Sequence, residues 1–205
     1  MINRFIQYIV GLLFLSFGVS LTIVADVGAG AWDALNVGLS KSIGLTIGNW
    51  VMIVGILMMI VNALLVKRIE WLALAPVFII GFLIDLWMLN VLSKLAFEST
   101  VGKYLLFIGG IFTIAVGVVI YLRAKFPANP IDNLMLSLQE RFGISLMVGK
   151  TIGEVSALVL AFLLDGAIGV GTIIITFLMG PAIQLVTPII NAFFNKGVEE
   201  KVTPI

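Results

Sequence analysis

The chain has 205 residues, 61% of them hydrophobic and only 11% charged, with a mean hydropathy of +1.20. Soluble domains carry roughly 25% charged residues, so lipid rather than water is the expected solvent. A net charge of +1 gives no support for nucleic-acid binding, and the absence of cysteine and histidine removes disulfides, thiolate chemistry and the commonest general base and metal ligand. No enzyme, metal centre or cofactor is expected.

A helix needs about 20 apolar residues to cross the hydrocarbon core. Six segments qualify: 5–25, 46–66, 71–92, 104–123, 147–165 and 170–193. Arg4 before an apolar run and Ala29-Gly30-Ala31 after it would also fit a cleavable signal peptide. The run is long, however, and a related run at 104–123 is internal, which favours a span. With the N-terminus inside, nine of the twelve basic residues fall on the cytoplasmic side: Arg4, Lys67, Arg68, Arg123, Lys125, Arg141, Lys150, Lys196 and Lys201. Lys41, Lys94 and Lys103 stay outside. The positive-inside rule therefore predicts a bacterial cytoplasmic-membrane protein with both termini cytoplasmic.

Between the first and second spans lies 26–45, and between the fourth and fifth lies 124–146. Both are too short and polar to span, yet both show helical periodicity: Trp32, Leu35, Leu39 and Ile43 in one, Ile131, Leu134, Met135, Leu138 and Phe142 in the other. Asn129-Pro130 and Gly28-Ala29-Gly30 offer helix starts, and Gly44 and Gly143 offer stops. Two placements fit. The helices lie flat at the interface as amphipathic connectors, or they dip inward and aim their N-termini at a solute.

The chain matches itself at an offset of 99. Gly11 falls on Gly110, Gly18 on Gly117, Ala25 on Ala124, Ala29 on Ala128 and Asp33 on Asp132, and the match returns at Phe78/Phe177 and Gly81/Gly180. Each repeat holds three spans. Three is odd, so the second repeat is expected upside down relative to the first, as in many secondary transporters, where solutes bind at the repeat interface. The division is 1–98, 99–195 and a cytoplasmic tail at 196–205, within one membrane domain.

Charges inside the spans are the candidate site residues. Asp85 sits within the third span, where an ionised carboxylate costs roughly 2.5–3.5 kcal/mol, and its repeat mate is Gln184. It is the first choice for proton or ion coupling, unless it is protonated or wetted at the interface. Glu154 is the second, although an i,i+4 pair with Lys150 also explains it. Asp33 and Asp132 open the short helices, where an acid favours the helix dipole and can also ligate a cation or solute amine. Trp32, Asn36, Asn129, Asn133 and Gln184 complete the expected solute-binding set. Asn62 and Asn90 are candidate interhelical donors, Asp165 is expected in water, and the glycines of the spans permit close packing. Gly149-Lys150-Thr151 resembles the end of a phosphate loop, but Ile144 stands where that motif needs glycine.

The stretch Gly28-Ala29-Gly30-Ala31-Trp32-Asp33-Ala34-Leu35, with Gly38, Gly44, Gly48-Asn49-Trp50 and Asn129-Pro130-Ile131-Asp132-Asn133-Leu134, resembles the YczE/YyaS/YitT group of bacterial integral membrane proteins, the YczE type above all. The resemblance covers nearly the whole chain and implies a multi-span membrane protein without supplying an activity. The expected protein is all-α: six transmembrane helices in two inverted three-helix repeats, each with a short amphipathic helix. Its expected work is small-solute transport, as permease or exporter, with the lipid bilayer and a solute as partners and a homodimer as an option. The alternative is a non-transporting binding or scaffold protein, such as a solute-binding subunit or an accessory to membrane-associated biosynthesis.

Overall fold

A computed structural model of the protein describes residues 2–95, 98–126 and 129–199. Ala128, Lys201 and the tail beyond 199 lie outside the described residues. Eight α-helices follow in order: α1 (Ile2–Val24), α2 (Ala31–Ile43), α3 (Ile47–Val66), α4 (Leu74–Leu86), α5 (Thr100–Arg123), α6 (Pro130–Phe142), α7 (Leu146–Leu163) and α8 (Val170–Glu199). A 3-10 turn at Trp71–Ala73 leads into α4, and a π-helical stretch at Trp87–Val91 extends it. Among the described residues, six helices are long and apolar enough to cross a membrane: Arg4–Val24, Ile47–Val66, Trp71–Val91, Thr100–Arg123, Leu146–Leu163 and Val170–Phe194. They coincide with the six expected spans to within a few residues.

The 99-residue offset reappears in the helix boundaries. Ala31 and Pro130 open α2 and α6, Ile43 and Phe142 close them, Ile47 and Leu146 open α3 and α7, and Val24 and Arg123 close α1 and α5. The local chemistry explains the short pair. Asn129 caps α6 by accepting from the Ile131 N–H, with Pro130 at the first turn, and Gly143 ends the helix in the left-handed region at φ +69°. Gly44, at φ +94°, ends α2.

At the centre α1 and α5 cross antiparallel, in the most extensive packing of the molecule. A Cβ on Gly18 would strike the Gly110 carbonyl and the Ile114 backbone, one on Gly11 the backbone of Tyr121, and one on Gly117 that of Leu15. Glycine lets the two backbones touch, which supplies van der Waals contact where lipid offers no hydrophobic drive between helices. Arg4 closes one end of the crossing by donating to the Ala124 carbonyl at 3.0 and 2.8 Å, and Lys103 closes the other with Asp26 at 3.0 Å. The core around this crossing includes Leu12, Phe107, Ile111 and Ile84, all 1% exposed or less.

Two further pairs form across the halves, α2 on α7 and α6 on α3, and two within them, α4 on α1 and α8 on α5. One relationship is unequal: α3 packs closely on α4, whereas α7 and α8 scarcely meet.

Candidate functional site

The two short helices each run beside only part of a longer one. Ala31, Ala34 and Leu35 of α2 pack with Ala157 and Ala161 of α7, and Gly38 lies against Leu164. Helix α2 thus begins level with the middle of α7 and ends with it. From the other side, α6 lies along the first half of α7. Gly149 permits this, since a Cβ there would sit 3.0 Å from the Met135 carbonyl. The starts of both short helices therefore converge at Gly153–Glu154, and Glu154 is the ninth of the 18 residues of α7.

A cavity of about 60 Å³ occupies this meeting point, with Trp32, Asp132, Met135, Lys150, Gly153 and Glu154 among its lining residues. Gly153 makes the floor thin: a Cβ there would come within 3.3 Å of Leu134 and 3.7 Å of the Trp32 indole. That volume suits an ion or a few heavy atoms; a site for a drug-sized ligand is several times larger.

Two carboxylates, Asp132 and Glu154, line the space with the Lys150 ammonium, and a third, Asp33, lies near enough to feel the Glu154 charge. Asp33, from the first turn of α2, is half-buried; burial pushes its carboxyl up to about 7 from an ordinary 3.8, and the Glu154 charge adds to the effect. Asp132, from the first turn of α6, accepts a hydrogen bond from the Tyr121 hydroxyl at 3.4 Å. Lys150 attracts both Asp132 and Glu154, while Asp132 and Glu154 repel each other. Among the described residues none of these three acids closes a salt bridge. Acids thus outnumber bases around the cavity, and the first turns of two helices lie beside it.

Asp33, Asp132, Trp32 and Glu154 are accordingly brought together. The other expected residues are placed elsewhere. Asp85 spans the junction of α3 and α4: its Oδ2 accepts from the Thr46 hydroxyl at 2.5 Å and its Oδ1 from the Gly48 N–H at 2.8 Å. It caps α3 from a neighbouring helix. Asn129 is occupied as the cap of α6. Asn133 donates to Glu70 at 3.2 Å, beside the paired hydrogen bonds of Arg68 to Glu140 at 3.2 and 2.8 Å; these ties line a separate cavity of about 110 Å³ between α3 and α6. Asn36 is 2% exposed with its Oδ1 unpartnered, and Gln184 is exposed on α8. Asn62 does bridge helices, donating to the Pro130 carbonyl at 2.8 Å. Asn90 does not: it donates back to Leu86 of its own segment at 3.4 Å. Asp165 is exposed, as expected.

Sequence reasoning missed Tyr121 and the part Lys150 plays. Tyr121 stands where the first repeat has the buried Thr22, so no recurrence flagged it, and Lys150 read as a local partner of Glu154. Gly153 carried a weak signal, being a glycine one position before an acid within a span.

A family described as a family of unknown function, DUF6198, matches residues 2–188. The uncharacterised protein YyaS of Bacillus subtilis is 37% identical over 192 residues, covering 93% of this chain and 96% of its own length. The uncharacterised membrane protein YczE of the same organism is 30% identical over 207 residues, covering 100% of this chain and 95% of its own. The likeness to YyaS thus exceeds that to YczE, the reverse of the expectation. An uncharacterised protein of Haemophilus influenzae is 26% identical over 86% of this chain and 79% of its own length. No solved structure matches the chain. Six apolar helices and these relatives make the protein a multi-pass membrane protein, and the chain belongs to the DUF6198 family.

Proposed function

We propose that the protein is a small-solute transporter, a permease or exporter, whose binding site is the cavity between the two short helices and α7. The convergence of Asp33, Asp132 and Glu154 with two helix starts at mid-length of a spanning helix carries this reading. Backbone ends at membrane depth are tolerated where they line a cavity. The two halves act as inverted repeats with both termini cytoplasmic, an arrangement supported by the antiparallel crossing of the equivalent helices α1 and α5.

The surplus of acids over bases favours a cation or amine. The acids there outnumber the one lysine, which disfavours an anion, and Trp32 lines the cavity as an aromatic surface for an organic cation. Asp33, poised near neutrality, takes up or releases a proton as the solute leaves or arrives. Transport then draws on an ion gradient, with no covalent step.

A thermal-shift screen on purified protein in detergent tests the reading. Small ammonium and guanidinium compounds and alkali cations are compared with anions of similar size. Stabilisation by a cation in the wild type, lost in Glu154→Gln, is the expected result. A protein stabilised by no compound in the set, or stabilised equally in the variant, overturns the assignment.

A further inference from the structure

The two halves differ at one junction. Between α3 and α4, a Cβ on Gly48 would collide with the Gly81 carbonyl, and one on Gly55 with Val77. Thr46 and Asp85 then bolt the pair at 2.5 Å. At the equivalent junction of α7 and α8 the residues 99 further on are Ser145, Met147, Glu154, Thr176, Gly180 and Gln184. All are exposed except Glu154, which is half-buried, and a Cβ on Gly180 would meet nothing within 4 Å. One junction is shut and its counterpart is open.

We propose that α7 and α8 form the inner gate of the solute cavity, and that α8 swings onto α7 to shut it. This rests on the transporter reading. The open faces are chemically matched for closure. On closure the Ser145 hydroxyl would face the Gln184 amide as Thr46 now faces Asp85. The Met147 side chain is long enough to cover the vacant surface of Gly180, and the Glu154 carboxyl would meet the Thr176 hydroxyl, which now donates to the Thr172 carbonyl. Closure would cover Glu154, so gate and site are linked.

Helix α8 is built to bend. Pro181 and Pro188 stand where the first repeat has Phe82 and Leu89, and Pro181 removes the N–H that would bond the Phe177 carbonyl. Thr176 and Thr187 bond back to Thr172 and Ile183 at 2.7 and 2.6 Å, a habit that also bends helices. The near end of α8 is anchored: the Gly171 N–H donates to the Val27 carbonyl at 2.7 Å, and Thr172 is 4% exposed. Motion is thereby a pivot about this end, and the face of α8 that rests on α5, with Ala182 and Val186 in the central core and Asn191 accepting from Arg123, has to slide with it.

The chain has no cysteine, so introduced pairs report without background. Ser145→Cys/Gln184→Cys, on two exposed sites, is oxidised with copper phenanthroline in vesicles without added solute, beside Gly55→Cys/Val77→Cys at the shut junction. A disulfide within one chain at both pairs is expected, forming several-fold more slowly at the gate and slower again with Pro181→Ala. Formation at the shut pair alone overturns the gate. So does a gate disulfide formed only between chains, which would assign the open face to a second copy. A within-chain disulfide with no cation stabilising the protein leaves a moving junction and removes the transport reading. Cation stabilisation without the disulfide does the opposite.

Discussion

The Asp85 carboxylate joins two helices through one hydroxyl and one backbone amide: Thr46 donates to Oδ2 at 2.5 Å and Gly48 to Oδ1 at 2.8 Å. Thr46 in turn accepts from the Asn49 N–H at 3.2 Å, so the first turn of α3 is satisfied by a relay that starts on α4. Hydrogen bonds to a charged group contribute about 1.5–3 kcal/mol each when broken. Asp85→Ala should therefore lower stability by at least that much, read as a fall in the thermal midpoint in detergent. Solute-induced stabilisation, measured as the shift above each variant's own midpoint, should persist. Its loss would return Asp85 to the role of coupling group.

Asp33 sets a pH dependence whose sign follows from its raised value. Its folded carboxyl titrates at about 7 and its ordinary value is 3.8. Between those values the folded state holds the proton that the unfolded state has released, so stability falls as pH rises through this window. Below it the contribution is fully present. Thermal midpoints measured from pH 4 to pH 8 should decline, and Asp33→Asn should flatten the decline. An unchanged profile in the variant would show that Asp33 is not the titrating group.

At the crossing of α1 and α5 there is no room for a side chain. Gly18→Val would press on the Gly110 carbonyl and the Ile114 backbone, and overpacking of this kind costs about 1–3 kcal/mol. Gly109→Val is the matched control: it lies on α5, next to the Gly110 that Gly18 touches, with open space around the added Cβ. The first should depress the thermal midpoint and the second should leave it near wild type. Equal effects would mean that the loss reports helix propensity at large and not the crossing.

Gly153 is the site's own test of shape. Its Cβ position lies 3.7 Å from the Trp32 indole and 3.3 Å from Leu134, so Gly153→Ala needs a shift of only a few tenths of an ångström. Gly153→Leu fills the cavity outright. Solute-dependent stabilisation should survive the first substitution in part and vanish with the second, while both variants remain folded by circular dichroism. Full retention in Gly153→Leu would place the solute elsewhere.

The six spans were legible because about 20 apolar residues in succession have one solution in a bilayer, and the short helices because Asn129-Pro130, Gly44 and Gly143 punctuate them locally. The recurrence at 99 residues was legible because glycines such as Gly11 and Gly110 stand where backbones touch. What could not be read was which polar residues meet. Asp85 looked costly because a buried acid is costly alone, yet a hydroxyl and an amide from 37 to 39 residues away answer it. Glu154 looked cheap because Lys150 lies one turn before it, yet Asp33, from 121 positions earlier, shares its field.

Sequence by itself determined the solvent, the helices and their recurrence, since each depends on composition and short-range periodicity. Only the tertiary structure decided that both short helices begin at one cavity, and that the junction of α3 and α4 is bolted while that of α7 and α8 stands open. Those outcomes depend on contacts between residues far apart in the chain. There, the replacement of Gly55 by Glu154 at the equivalent position exchanges close packing for a charge that two backbones cannot bury between them.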